Sequence, residues 1–236
     1  MSTQKVAVVT GASQGIGAGL VTAYRKLGYA VVANSRTIAG SDDPFILTVP
    51  GDIAEAGVGI QVIEKGLEAF GRIDALVNNA GVFTAKPFTE YTDADYAQVV
   101  GVNLNGFFET TRRAVAAMLE NETGGHVVSI TTTFAEHALS EVPAALAALT
   151  KGGLNSATRS LAIEYAARNI RFNAVSPGVI KTPMHPAENH AFLAALHPVG
   201  RLGEIEEIVD AVTYLENAKF VTGEILHVDG GQQAGH

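Results

Sequence analysis

The chain has 236 residues, which suits one α/β domain of the larger kind, and 47% hydrophobic against 17% charged residues supply a large core under a lightly charged surface. A net charge of −8 without a run of Lys or Arg excludes nucleic acid and an anionic membrane as expected partners. The absence of cysteine excludes thiol catalysis, disulfides and thiolate metal sites, and Met1-Ser-Thr-Gln-Lys5 contains no apolar signal core, so a soluble cytoplasmic protein is expected.

Along the chain, short apolar runs alternate with helical patterns. Strands are predicted at Val6–Thr10, Ala30–Asn34, Phe45–Val49, Ala75–Asn78, His126–Thr131, Arg171–Ser176 and Ile225–Val228. Helices are predicted near 15–27, 54–70, 93–99, 102–120, 143–168 and 204–216. Strands separated by helices imply an α/β fold, a doubly wound Rossmann-type single domain over 1–236. Its seven-stranded parallel sheet carries helices on both faces and right-handed crossovers. One connection is too short for that pattern. Between Arg36 and Phe45 lie only the eight residues Thr37-Ile-Ala-Gly-Ser-Asp-Asp-Pro44. A parallel crossover normally takes a dozen or more residues, so a shortened crossover is expected between strands two and three, with less cover on that side.

The first strand runs into Thr10-Gly-Ala-Ser-Gln-Gly-Ile-Gly17, and a helical pattern follows. Free N–H groups at such a helix start can hold a phosphate. Gly11 permits the tight turn, Gly15 lets the backbone approach a pyrophosphate, and Gly17 lets helix and strand pack closely. Ser13, Gln14 and Ile16 complete the turn. Its spacing, T-G-x-x-x-G-I-G, resembles that of the short-chain dehydrogenase/reductase family. The resemblance runs from Val6 to Gly231 and implies hydride transfer between NAD(P)(H) and a carbonyl or alcohol.

Further motifs follow in the family's order. Strand two ends in Ala33-Asn-Ser-Arg36, without the acid that accepts the ribose hydroxyls of NAD. Arg36 can grip a 2′-phosphate and Ser35 can add a hydrogen bond, so NADP(H) is favoured over NAD(H), although Gln14 supplies no second positive charge. In the family an Asp such as Asp52, followed here by Ile53, stands beside the adenine. Asn78-Asn-Ala-Gly81 provides a small-residue wall through Asn79, Ala80 and Gly81. Asn103 falls where relatives hold a relay water. In Asn173–Met184 the resemblance gives Pro177, Gly178, Ile180 and Thr182 contacts to the nicotinamide. The segment near 184–199 is expected to cover a small or medium apolar substrate with Phe192, Leu193 and Leu196. Its histidines, His185, His190 and His197, are irregularly spaced without acidic partners, so surface histidines are expected and no metal site. The last strand, in Gly223–Gly231, resembles one that lies in a tetramer interface, which implies a homotetramer.

The catalytic stretch departs from the family. Relatives carry Ser, then Tyr-x-x-x-Lys, with the lysine lowering the phenol's pKa for proton transfer. Lys151 fits the lysine, yet Ala147 stands one helical turn earlier, in the tyrosine's place. From Ala97 to Glu164 there is no tyrosine, and the position seven before Lys151 is Ala144. A threonine, Thr132 or Thr131, replaces the serine; Thr132 stands 15 residues before Ala147. Three readings stay open. The protein is an oxidoreductase with a non-standard proton donor such as water, His137 or His185; or an NADP(H)-binding sensor or partner subunit; or an enzyme carrying an engineered alanine. The first is the working expectation, with His137 preferred as the donor because it follows the catalytic strand.

Overall fold

A computed structural model of the protein describes residues 4–235; positions 1–3 and 236, the ends of the expected domain, lie outside the described residues. Strands with an apolar residue at nearly every position are those a sheet buries on both faces. Here they are β1 (Val6–Thr10), β2 (Ala30–Ser35), β3 (Ile46–Pro50), β4 (Ala75–Asn78), β5 (Gly125–Ile130), β6 (Ile170–Pro177) and β7 (Ile225–Val228). All pair in parallel, in the order β3-β2-β1-β4-β5-β6-β7, as the doubly wound expectation requires. The order reverses beside β1, and in such sheets ligands bind where it does, outside the strands' carboxyl ends.

The helices are α1 (Gly15–Lys26), α2 (Val58–Phe70), α3 (Asp93–Val100), α4 (Gly106–Leu119), α5 (Ala145–Tyr165), α6 (His190–Ala194) and α7 (Ile205–Asn217). Alternation along each strand divides the core in two. On one face Val9, Val31 and Val77 pack with Leu20 of α1 and with Ile208 and Val212 of α7. On the other, Val8, Val32 and Leu76 meet Val62 of α2, Met118 of α4 and Ala162 of α5.

The crossover from β2 to β3 contains no helix. Asp43 ties it to α1 through Arg25 at 2.9 Å and accepts the N–H of Phe45. With α2 on one face but no crossover helix on the other, β3 stays partly exposed except at Val49.

Several boundaries differ from the sequence reading. α2 starts at Val58 rather than 54, because Gly57 adopts a left-handed φ of 86°. The Glu109 carboxylate accepts the Gly57 N–H at 2.9 Å. The helices predicted near 93–99 and 102–120 run on through a π turn, Gly101–Asn105. α5 spans 145–165 instead of 143–168 and gives way to a 3-10 turn at Ala166–Arg168. α6, only five residues long, was not predicted. Among the described residues, no helix is long and apolar enough to cross a membrane.

Candidate active site

The glycine turn is clamped to the end of β4. Thr10 Oγ1 accepts the N–H groups of Asn79 and Ala80 at 3.1 and 3.0 Å, and Asn79 Nδ2 donates to the carbonyls of Thr10 and Gly11. Gly11 and Gly15 have φ of 65° and 56°, conformations that other residues rarely adopt. At Gly17 an added Cβ would stand 2.1 Å from the Gly11 carbonyl oxygen, so only glycine fits. α1 opens at Gly15 with neither a side-chain cap from Gln14 nor an acid in its first turn. Its first N–H groups, at the positive end of the helix dipole, are therefore left for a ligand.

This turn opens into a cavity of about 400 Å³ along the carboxyl ends of the strands. At the β2–β3 end stand Ser35, Arg36, Asp52 and Ile53. Ser35 Oγ donates to Ser13 Oγ at 2.9 Å, and Asp52 Oδ1 accepts the Ala54 N–H at 3.0 Å. Buried Asn34 fixes this end by donating to the carbonyls of Val49 and Gly51. Gly11, Ser13, Gln14, Gly15, Ile16 and Gly17 line the middle together with Asn79, Ala80 and Gly81. At the far end lie Thr132, Ala147 and Lys151, facing Pro177, Gly178, Ile180 and Thr182. Thr182 closes over the turn, its Cγ2 only 3.4 Å from where a Gly15 Cβ would sit. The bridge between Ile180 and Gly203 is made by the backbone groups of Val179 and Lys181, so Ile180's own N–H and C=O take no part in it.

Lys151 is buried, and Nζ donates to the Ile130 carbonyl at 2.6 Å. Burial lowers its pKa to about 8. A Cβ at Gly81 would lie 2.9 Å from that Nζ and would displace the amine. Ala147, one turn earlier, offers the cavity only a methyl group. Thr132 and Thr131 divide their work: Thr131 Oγ1 donates to the Val175 carbonyl, whereas Thr132 Oγ1 accepts the Phe134 N–H at 3.4 Å. Thr132 thus keeps its hydroxyl proton to donate.

Two predicted catalytic residues stand outside the lining. Asn103, turned inward by the π turn, accepts from Val82 N–H and donates to the Val82 carbonyl and to Thr150 Oγ1. It braces the loop after β4 against α5. His137 follows the 3-10 turn Thr133–Ala135, while its neighbour Glu136 binds His227 at 2.8 Å and Asn155 at 3.1 Å.

The expectation of surface histidines needs correction. His197 is 3% exposed, and its Nε2 accepts the Val179 N–H at 2.9 Å. That backbone donor, at the end of β6, has no strand partner and needs an acceptor. His197 thereby supports Pro177-Gly178 from behind. His185 lines the cavity and is half-buried; burial and nearby His190 lower its pKa. Phe192 also departs from expectation: it is 53% exposed, while Leu193 and Leu196 line the cavity with Phe83, Phe134 and Val142. Leu193 lies on α6 and Leu196 just past its end. Among the described residues, no three His, Asp or Glu side chains converge as metal ligands.

Known proteins are similar to this chain in sequence and fold. The sequence profile described as enoyl-(acyl carrier protein) reductase matches residues 11–233. The (2S)-[(R)-hydroxy(phenyl)methyl]succinyl-CoA dehydrogenase subunit BbsD of Thauera aromatica is 33% identical over 242 residues, covering 97% of this chain and 96% of its own. The structure of ElxO with NADP bound is similar at a TM-score of 0.90 and 26% identity, over 98% of this chain and 100% of that one. The 3-ketoacyl-(acyl-carrier-protein) reductase of Brucella melitensis complexed with NADH gives 0.88 and 30%, again over 98% and 100%. The full-length match in sequence and the shared architecture make this chain a member of the short-chain dehydrogenase/reductase family, the oxidoreductase class that its glycine turn predicted.

Proposed function

We propose that the protein transfers hydride between NADP(H) and a small or medium apolar carbonyl or alcohol. One observation carries this reading: the uncapped first turn of α1 and the amine of Lys151 open into the same cavity. The residues present fit a dinucleotide. The first turn of α1 takes the pyrophosphate, Asp52 and Ile53 flank the adenine, and the Gly81 wall leaves room beside Lys151 for the nicotinamide ribose. Pro177, Gly178, Ile180 and Thr182 hold the nicotinamide, with the backbone groups of Ile180, which stand outside the bridge to Gly203, offered to its carboxamide. When bound, the reduced nicotinamide supplies the hydride. The chain's own work is to fix the carbonyl, through Thr132, and to exclude water with the apolar wall of Phe83, Phe134, Val142, Leu193 and Leu196.

NADP(H) is the cofactor proposed because Arg36 is exposed at the cavity mouth and makes no ion pair among the described residues, while no acid stands at the end of β2. Ala147 holds the position of the family's tyrosine, so the proton comes from elsewhere. Segment 184–199 forms the substrate cover, and the family resemblance points to a homotetramer. Fluorescence titration with NADPH and NADH, followed by a panel of ketones and aldehydes, tests the reading. NADPH should bind more tightly, and Arg36→Ala should weaken it by about 1.5–3 kcal/mol while leaving NADH little changed. Binding without turnover would make the protein a sensor or partner subunit. Failure to bind either nucleotide would overturn the proposal.

A further inference from the structure

A carbonyl oxygen that becomes a hydroxyl must receive a proton inside the cavity, and this question rests on the oxidoreductase reading above. Among the described residues no tyrosine lines the cavity, and the titratable side chains there are Arg36, Asp52, Lys151 and His185. Arg36 and Asp52 follow β2 and β3, at the opposite end of the sheet from β5 and the catalytic threonines. That leaves Lys151 and His185. The His185 ring is held by burial and by nearby His190 in its neutral form at pH 7, a poor proton donor for reduction. Lys151 Nζ is fixed by its bond to the Ile130 carbonyl, at the end of the strand that leads into Thr131 and Thr132. An ammonium has three donors, and the Ile130 carbonyl takes one. Ala147, on the same face of α5, puts only a methyl group where a larger side chain would stand between Nζ and the substrate.

We propose that Lys151 is itself the acid–base group, passing its proton to the carbonyl oxygen directly or through one water seated over Ala147, while Thr132 holds that oxygen. The carbonyl carbon gains the hydride and its oxygen gains the ammonium proton. Lysine is left as the neutral amine and is recharged from solvent; oxidation of the alcohol runs the same steps backwards. Burial is the whole cause of the lowered pKa of Lys151, about 8, near what acid–base work at neutral pH requires. The charged groups on the elements packed against α5 are engaged elsewhere. Asp95 of α3 binds Lys86, Glu136 binds His227 and Arg159, Arg168 of the 3-10 turn after α5 donates to the Leu119 carbonyl, and Arg171 of β6 is turned to the carbonyls at the end of α7. Asp93 and Tyr96 of α3 are exposed, and His126 of β5 binds Glu216 at the other end of the strand.

Two measurements test this. In nucleotide-free protein labelled with ¹³C-lysine, the Cε resonance that disappears in Lys151→Arg should titrate near pH 8. Titration above 10, as for an ordinary lysine, would overturn the proposal whatever the activity. Lys151→Arg keeps the positive charge but cannot release a proton, so kcat for reduction should fall by about 10² to 10⁴. The alkaline fall in wild-type kcat should track the same NMR midpoint. Wild-type turnover in Lys151→Arg, or an alkaline limb that moves in His185→Gln instead, would also overturn it. Loss of all nucleotide binding in the unaltered protein would strike the oxidoreductase reading itself, which separates the two failures.

Discussion

The two ends of the sheet both bury ionisable groups and treat them differently. At the amino ends of the strands, Glu216 of α7 is 3% exposed, yet it accepts hydrogen bonds from Tyr29 at 2.8 Å, Tyr24 at 3.4 Å and His126 Nδ1 at 2.8 Å. Asn173 Nδ2 donates to His126 Nε2, which fixes the tautomer with its proton on Nδ1, toward Glu216. Burial opposes the charge on Glu216, but the bonds from His126 and Tyr29 outweigh it and hold the carboxyl well below the usual range. Arg171 ties the end of α7 down through the carbonyls of Leu215, Glu216, Ala218 and Val221. At the carboxyl ends, Lys151 is buried with one backbone carbonyl and no carboxylate partner among the described residues. A saturated buried charge rigidifies a fold, whereas a half-satisfied one is strained and therefore reactive.

The contrast can be broken most severely at Glu216. Glu216→Ala should lower stability by about 3–5 kcal/mol in urea denaturation, because the tyrosines and His126 lose their common acceptor. The opposite sign is expected at the other end. Lys151→Met removes the desolvation penalty and should raise stability by about 1–3 kcal/mol in the same assay, with activity lost. Ala147→Tyr would make the carboxyl end resemble the amino end by giving the lysine a phenol to work through. Carbonyl reduction should rise about tenfold or more, read as NADPH consumption.

Acidification should produce the smallest effect. His126 and His185 both have pKa values lowered from 6.5, so the unfolded chain takes up protons there that the folded chain refuses. Stability should fall as pH drops below 6.5, and His126→Asn should flatten part of that slope. Glu216, lowered from 4.5, adds stability that is present above 4.5 and lost below it, so a second decline should follow there.

What the sequence revealed was local. The glycine turn, Asn78–Gly81 and the Pro177–Gly178 exit each draw their meaning from adjacent residues, and the missing β2–β3 helix followed from counting the chain between strands. The remainder depended on long-range placement. Glu216 and His126 are 90 positions apart, and each sits in an ordinary-looking helix or strand pattern. His197 reads as one more polar residue between Leu196 and Pro198, and its role appears only once β6 ends against it. The π turn left no periodicity of its own, so α3 and α4 looked like two helices with Asn103 near the start of the second. Thr132 and Thr131 could not be told apart until the Val175 carbonyl was seen to take one of them.

The helix-free β2–β3 connection bears on how this protein can change over time. Arg36 opens a loop held to the body by Asp43 on Arg25 and by Ile38, which packs on the edge of one core, over a strand that is already half-exposed. Substitutions and insertions there disturb little of either core. On the role proposed for Arg36, nucleotide preference can drift almost independently of the ability to fold.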